Sequence, residues 1–305
     1  STRDKMNGLF SVAIATASIL SISIFLAIIF RKKVFETAFL AIGLIIFVLF
    51  LSGQMNFRGS LFFGYWIIVG GGIVALAFSI KKIIEKPKIL HDISLISGLI
   101  ILIGIIVLSV ILNYDRIPYV GDEYTHWATV VKHMYIFDAF GSINGSTLLF
   151  KEYLPGISLF EYFFVRGGGF VAWPLFVASN LLIITAILTL SATLRSFQRY
   201  SFILLSLLVP TFFINSFIYN QYTSLAVDGV LGLLFAFCVV YYFTRMTESI
   251  EVYDALTLTA GLFLLTITKD MGIILAGIFL FLFIVDIFFF RRNLLLELKK
   301  TKRLK

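Results

Sequence analysis

Cysteine and charged residues are scarce in this 305-residue sequence, and each scarcity excludes some classes of protein. Its single cysteine, Cys238, excludes a disulfide framework and a cysteine metal cluster, and its apolar neighbours indicate a packing residue. Only 14% of the residues are charged, against 60% hydrophobic residues and 34 phenylalanines. A soluble domain of this length would aggregate with that composition, which leaves an integral membrane protein with many spans.

The net charge of +8 does not indicate nucleic-acid binding. The basic residues occur in short clusters beside apolar runs, where lysine and arginine set the orientation of membrane spans. We therefore expect the lipid bilayer, and no nucleic acid, as a partner.

The apolar runs predict an all-α, polytopic transmembrane helical bundle with about nine spans, because about 20 apolar residues in a helix cross a bilayer core. Residues 1–90 would form three N-terminal transmembrane helices, and 91–305 a second module with an outer loop at 113–170. The eighth span is short, so the pair around Lys269 is alternatively a broken or re-entrant helix. The predicted spans are 9–30, 37–51, 61–80, 93–112, 171–194, 202–217, 225–243, 256–268 and 272–290.

The basic residues predict which side each loop occupies. Most of the 25 lysines and arginines fall at 31–33, 81–88, 195–199, 245 and 291–305. These clusters are all cytoplasmic if the amino terminus is outside, as the positive-inside rule expects. The loop at 113–170, Asp228 and the Lys269-Asp270 turn are then extracytoplasmic.

The first part of the outer loop predicts a helix that lies along the membrane surface. Apolar residues repeat at helical spacing from Trp127 to Phe137, while Asp122, His126 and His133 line another face. Asp122 would cap the start of this helix by accepting the N–H groups of the first turn.

A second surface helix is predicted at 155–165. Proline suits the first helical turn, and the flexible Gly167-Gly168-Gly169 follows the segment. The segment is too short to cross the bilayer comfortably, and counting it as a span would place the cluster at 195–199 outside.

Two adjacent carboxylates, Asp122 and Glu123, stand at the outer end of the fourth predicted span. Neighbouring side chains on a helix diverge by about 100°, so only one of them can face a given site squarely. That one would act as a base towards an acceptor hydroxyl. The other would orient the base or pair with another group. Alternatively, both residues are structural: Asp122 caps the helix, and Glu123 is a solvated acid in its first turn.

Other residues could bind a ligand. Asp122 and His126, four residues apart, could offer two ligands to a divalent cation, although the polar face of a surface helix explains His126 and His133 better. Asp228 begins an apolar span, where a carboxylate is costly. Cations could hold a phosphate or anchor lipid headgroups equally well; they are Arg116, Lys132, Lys151 and Lys269.

Four short motifs in this order resemble the GT-C superfamily of membrane glycosyltransferases, which includes protein O-mannosyltransferases and aminoarabinose transferases. An acidic motif, Asp122-Glu123-Tyr124, precedes the first surface helix, and Tyr153-Leu154-Pro155-Gly156 opens the second. Residues 222–228 bring an acid to the start of a later span, and Thr268-Lys269-Asp270-Met271-Gly272 resembles a Thr-Lys-x-x-Gly pattern. The resemblance covers roughly residues 93–290.

The resemblance implies an inverting enzyme in the plasma membrane, with its active site on the extracytoplasmic side. It would transfer a sugar from a polyprenyl-phosphate-linked donor to a glycan, lipid or protein acceptor of the cell envelope. Asp122 would be the general base, and Lys269 or a neighbouring cation would steady the departing phosphate. The predicted site comprises Asp122 and Glu123 as catalytic residues and, for substrate or phosphate, Lys269, Asp228, Asp270, His126, His133, Arg116, Tyr153 and Lys151.

Two other classes compete with this hypothesis. Acids and a lysine at the mouths of spans also suit a transporter or a flippase of lipid-linked substrates. Against a carrier, the sequence shows no obvious inverted repeat, and the acids gather on one side instead of the midplane. A purely structural membrane scaffold is the third possibility, although a scaffold has no need of polar groups at the rim.

Overall fold

A computed structural model describes residues 2–119, 121–144, 146–148, 151, 153–192, 194, 203, 221–246 and 251–290. Every secondary-structure element in these ranges is helical, so the all-α prediction is confirmed for them. The principal helices are α1 (Thr2–Phe30), α2 (Val34–Gly53), α3 (Ser60–Glu85), α4 (Ile89–Asp92), α5 (Leu95–Asn113), α6 (Ala128–Phe137), α7 (Gly156–Arg166), α8 (Trp173–Ser191), α9 (Val227–Arg245), α10 (Val252–Thr268) and α11 (Asp270–Val285).

Seven of the described helices are long and apolar enough to cross a membrane: α1, α2, α3, α5, α8, α9 and α11. They coincide with seven predicted spans. The predicted span at 256–268 falls within α10, a shorter apolar helix of 17 residues. The predicted span at 202–217 lies outside the described residues, so the count of nine stays a prediction.

Helix α8 is the centre of the bundle. All of its residues are buried, and it packs against α2, α5, α7 and α9. By contrast, α5 buries a narrow stripe and exposes large apolar side chains, including Ile96, Ile100 and Ile111. A helix that exposes so much apolar surface is unstable in water and suited to lipid.

Glycines and hydroxyl groups allow the helices to pack closely. Gly43 of α2 faces Ala260 of α10 so closely that an added Cβ would lie 2.8 Å from the alanine methyl carbon. Buried hydroxyl groups donate back to the preceding turn, as Thr185 does to the Leu181 carbonyl at 2.7 Å. These bonds satisfy polar groups where water is absent.

The contacts separate the two ends of the bundle. At one end, which we call the loop end, the start of α3 meets the end of α6: the Leu61 N–H donates to the Asp138 carbonyl at 2.8 Å. At the opposite end, Arg245 pairs with Glu36 at 3.2 Å and Lys32 with Glu251 at 2.7 Å. Lys32 and Arg245, which are predicted to lie on one side of the membrane, share one end of the bundle, and the loop at 113–170 lies at the other. Which end faces outward stays a prediction.

Helix α7 differs from the predicted surface helix. It spans Gly156–Arg166, close to the predicted 155–165, but all residues from Gly156 to Val165 are buried. It contacts α6 as well as α1, α2, α8 and α10, so protein surrounds it at the loop end. The segment was predicted to lie along the membrane surface, whereas neighbouring helices bury it.

Candidate functional site

The acidic motif enters a π-helical turn, Glu123–Trp127, that leads directly into α6. The Ala128 N–H donates to the Glu123 carbonyl, five residues back, and the Thr129 hydroxyl donates to the Tyr124 carbonyl at 2.6 Å. Such turns are rare and occur frequently at functional sites. Asp122 already has helical dihedral angles and makes no side-chain capping bond, so the predicted N-cap is wrong. The helix begins before this residue.

The two carboxylates of the motif diverge. Asp122 is exposed, whereas Glu123 is 1% exposed. The Leu225 N–H donates to Oε1 of Glu123 at 2.9 Å, while the buried Oε2 has no hydrogen-bond partner among the described residues. Glu123 therefore ties the π-helical turn to the segment before α9, and Asp122 is left facing outward.

Aromatic rings enclose His126, which is buried instead of lying on a solvated polar face. Its ring centroid lies 4.4 Å from that of Trp127 and 4.7 Å from that of Tyr153, both edge-to-face. Tyr153 also stacks on Trp127, with centroids 6.1 Å apart and planes 11° from parallel. Burial lowers the pKa of His126, an effect that the charge of Asp122 partly opposes.

His133 is likewise buried, against Phe137 at a centroid distance of 4.5 Å. In the part of the chain that the structure describes, neither ring nitrogen has a hydrogen-bond partner, and burial lowers the pKa of this ring. The solvated polar face predicted for both histidines is therefore wrong, because the apolar stripe of α6 is wider than the sequence spacing indicated.

No cluster of three or more His, Cys, Asp or Glu side chains that could hold a metal ion occurs among the described residues. The described residues therefore supply no third protein ligand for a divalent cation bound by Asp122 and His126.

A lysine-aspartate pair stands beside the Glu123 contact. Asp228 lies in the first turn of α9, three residues after Leu225, and its Oδ1 is 2.6 Å from Nζ of Lys269. Lys269 is the extended residue between α10 and α11, and Asp270 is exposed in the first turn of α11. The predicted break in the chain at Lys269 is thus a junction of two helices with one non-helical residue.

The Pro155-Gly156 motif contacts the same junction. A Cβ built on Gly156 would lie 2.6 Å from the Ile267 carbonyl oxygen and 2.9 Å from Cα of Thr268. Only a residue without a side chain allows α7 to start this close to the end of α10. Contacts therefore link all four motif segments in one region of the loop end: 122–124, 153–156, 222–228 and 268–272.

A pocket of about 190 Å³ opens beside these segments. Lys151 and Tyr153 line it together with Leu154 and Pro155, and the remaining wall is mostly apolar, including Phe50 of α2 and Met134 of α6. The structure thus brings Lys151 and Tyr153 together.

Arg116 and His133 are the predicted site residues that these contacts do not include. The guanidinium group of Arg116 lies 5.3 Å from the ring centroids of Tyr119 and Phe176, which places it against α8. The described residues offer its buried Nε atom no hydrogen-bond partner.

Sequence reasoning missed Glu161 in the middle of α7. This side chain is 1% exposed and accepts a hydrogen bond from the Ser179 hydroxyl of α8 at 2.9 Å. Burial, and then the charge of Glu123, raise the pKa of Glu161 to about 8, although Ser179 opposes the rise. An isolated acid in the apolar run GISLFEYFFV was the signal that marks it.

Sequence reasoning also missed an ion pair at the loop end. Nε of Arg166 lies 2.7 Å from Oδ1 of Asp138, and the Tyr162 hydroxyl donates to the same oxygen at 2.5 Å. Arg166 also lies over the Phe62 ring at 4.2 Å from its centroid. This ion pair fixes the end of α6 to the end of α7.

The fold and the described helices define a helical protein of the membrane class, with charged groups at both ends of the bundle and the four motif segments at the loop end. Comparison of the chain with protein-family models, with curated proteins and with solved structures gave no match. The chemistry of the site must therefore carry the functional argument.

Proposed function

We propose that this chain is a membrane glycosyltransferase of the GT-C kind, which passes a sugar from a polyprenyl-phosphate-linked donor to an acceptor of the cell envelope. The observation that supports the proposal most is the convergence of the four motif segments. Glu123 accepts from Leu225, Asp228 pairs with Lys269, and Gly156 packs on the end of α10.

In the proposed reaction Asp122 is the general base. Its carboxylate takes the proton of an acceptor hydroxyl as that oxygen bonds to the anomeric carbon. The bond between this carbon and the phosphate oxygen breaks, and polyprenyl phosphate leaves with the electron pair. A single displacement inverts the anomeric configuration. The exposure of Asp122 suits this role because an acceptor can reach it from water.

Two lysines could receive the departing phosphate. Lys269 is already held at the motif junction by Asp228, and Lys151 stands at the mainly apolar pocket. A cation at the leaving oxygen lowers the barrier because negative charge develops there. A pocket with apolar walls beside a cation suits a lipid phosphate, which combines a long apolar chain with an anionic head.

The test is transfer of labelled sugar by the purified chain in lipid vesicles that contain a polyprenyl-phosphate-linked sugar and a mixture of cell-envelope acceptors. We expect Asp122→Asn to lower the rate by about 100-fold or more, the usual contribution of a general base. Asp92→Asn, which changes an exposed aspartate on α4, is the matched control and should transfer normally. Near-normal turnover by Asp122→Asn would remove that residue from the mechanism.

A carrier of lipid-linked substrates is the second candidate, and the buried Glu161 favours it. A buried carboxyl with a pKa near 8 can bind and release a proton during transport. The same vesicles separate the two functions. A carrier moves labelled lipid-linked sugar across the bilayer without forming a new glycosidic bond, whereas a transferase labels the acceptor.

A further inference from the structure

Three aromatic rings form one cluster at the loop end, and they come from two of the motif segments. His126 and Trp127 end the π-helical turn that contains the acidic motif, and Tyr153 stands two residues before Pro155. The rings of His126 and Trp127 lie 4.7 and 6.1 Å from that of Tyr153, measured between centroids. These contacts hold Tyr153 against the turn, although 40% of the residue stays exposed.

Tyr153 also lines the pocket of about 190 Å³. Lys151, two residues earlier, lines the same pocket and is the charged residue among the described lining residues. His126, which contacts Tyr153, follows Asp122 by four residues, about one helical turn. The contacts of Tyr153 therefore join a pocket that contains a cation to the turn that carries Asp122.

A second aromatic wall of the pocket leads towards the membrane. Phe50 of α2 and Phe140 lie in contact there, with centroids 5.9 Å apart. Phe263 of α10 continues the row, 5.5 Å from Phe50 and 5.4 Å from Phe47. Phe47 lies about one turn further from the loop end and is 43% exposed on α2. This row of rings suits the apolar chain of a bound lipid, whereas Tyr153 lies beside the acidic motif.

We propose that Tyr153 is a platform that binds the sugar ring of the lipid-linked donor, with the phosphate on the side of Lys151 and the apolar chain along the wall of Phe50. One face of a sugar ring carries mostly C–H groups, whose slightly positive hydrogens pack on the negative face of an aromatic ring. The catalytic part of this inference rests on the proposed transferase function. Binding of the sugar does not, because a carrier of lipid-linked sugars would need it too.

The platform is fixed before a ligand binds. Trp127 stacks on Tyr153 with planes 11° from parallel, and Gly156, three residues further on, packs on the end of α10. An aromatic side chain that is already held in place loses little entropy when a ligand binds, so more of the contact appears as affinity.

The first experiment measures equilibrium binding to the full chain in detergent with two probes, a polyprenyl-phosphate-linked sugar and the same polyprenyl phosphate without the sugar. Tyr153→Leu removes the ring, and Tyr153→Phe keeps it. We expect Tyr153→Leu to weaken binding of the sugar-bearing probe by about 10-fold, as for the loss of one aromatic contact, and to leave the sugar-free probe unaffected. Tyr153→Phe should bind both probes as wild type does.

Tyr114→Leu is the matched control. Tyr114 is 42% exposed and also packs on a tryptophan, Trp173, at 5.6 Å between centroids, but it follows α5 and is not among the described residues that line the pocket. This variant should bind both probes normally. Equal weakening of both probes by Tyr153→Leu overturns the inference, and so does equal weakening by Tyr153→Phe and Tyr153→Leu. If wild type binds both probes with the same affinity, or binds neither, the inference is also wrong.

Tryptophan emission tests the same contact without a change at Tyr153. The chain has three tryptophans, and Trp127 is the one in the cluster. The sugar-bearing probe should displace water from the cluster and shift the emission of wild type to shorter wavelength, more than the sugar-free probe does. Trp127→Phe should lack this difference. Equal spectra with both probes, or a difference that persists in Trp127→Phe, contradict the proposal.

Sugar transfer separates the platform from the chemistry. Because the ring contact exists before and during the reaction, Tyr153→Leu should raise KM for the donor by about 10-fold and leave kcat nearly unchanged, whereas Asp122→Asn lowers kcat. A loss of kcat alone in Tyr153→Leu would rule out the platform. If the binding and emission results hold while wild type forms no glycosidic bond, the transferase function alone fails.

Discussion

The two ends of the bundle both bury carboxylates, but they satisfy them differently. At the opposite end, Glu36 has Arg245 at 3.2 Å, although the buried Asp254 has a neutral donor, the Tyr241 hydroxyl at 2.7 Å. At the loop end, the donors that the described residues supply to Glu123 and Glu161 are all neutral, and they leave one oxygen of Glu123 without a hydrogen bond. An arrangement that compensates charge serves stability, whereas one that leaves it uncompensated marks a candidate functional site.

The comparison can be tested first by removing a cation from the opposite end. Arg245→Ala removes the cation that lies 3.2 Å from the buried carboxylate of Glu36, so we expect a loss of about 4 kcal/mol in the free energy of unfolding. The double variant Arg245→Met with Glu36→Gln should recover much of this loss, because no charge is left uncompensated. Denaturation in detergent measures both. Equal instability of the single and double variants would show that packing, and not charge, is lost.

At the loop end, Glu161→Gln should give a pH-dependent gain in the free energy of unfolding. Below about pH 4.5 the wild-type side chain is protonated in the folded and unfolded chain, so the two proteins should be equally stable. Between about 4.5 and 8 the folded chain keeps a proton that the unfolded chain releases, and wild-type stability falls as pH rises. At pH 8 we expect Glu161→Gln to be more stable by about 4 kcal/mol, since each pKa unit is equivalent to about 1.4 kcal/mol.

Thermal denaturation across this pH range measures the gain. Glu85→Gln controls for the loss of an exposed acid and should show no such pH dependence. A constant difference between Glu161→Gln and wild type across the range would show that Glu161 is ionised in the folded protein.

A steric change at the loop end should have a smaller effect on the free energy of unfolding. Gly156→Ala places a Cβ 2.6 Å from the Ile267 carbonyl oxygen, a backbone atom that cannot move without shifting α10. We expect a loss of about 1–3 kcal/mol, as for overpacked cores, together with slower transfer. Gly104→Ala in α5 is the matched control, because its Cβ would meet nothing within 4 Å. Equal stability of the two variants would mean that α7 tolerates a shift.

The smallest effect on stability is expected from Lys269→Ala. Its partner Asp228 is 70% exposed, and exposed ion pairs contribute about 0–1 kcal/mol. Transfer should nevertheless fall if Lys269 receives the leaving phosphate. Lys82→Ala, which removes a lysine from an exposed pair with Glu85 at the opposite end, is the control for both measurements. Normal transfer by Lys269→Ala would assign the phosphate to another cation, with Lys151 the next to test.

The sequence predicted the elements that depend on continuous apolar runs. Seven spans, the helix of the 155–165 segment and the break at Lys269 are all present, because length, proline and a change of composition determine them locally. The divergence of Asp122 and Glu123 also followed from helical geometry.

The sequence could not predict which faces other helices cover. His126, His133 and all of α7 are buried because distant parts of the chain pack on them, and no local spacing reports that. Glu161 stands in an apolar run that marks it, but its complete burial depends on the packing of α7 against α8, from which Ser179 donates to it. The capping role expected of Asp122 failed because the helix already includes Gly121 and Asp122.

That extra residue has a consequence for any comparison of this chain with shorter versions of the motif. Deleting one position between Tyr124 and Trp127 would remove the residue that the π-helical turn accommodates, so a regular α-helix would form and the residues before it would keep their directions. A regular helix without a deletion would instead rotate everything before the turn by about 100° about the axis. Glu123 would then take the outward direction of Asp122, and Tyr124 would face Leu225. A one-residue gap in an alignment at this point therefore preserves the assignment of the two acids, whereas an ungapped sequence without the π-helical turn shifts it by one residue.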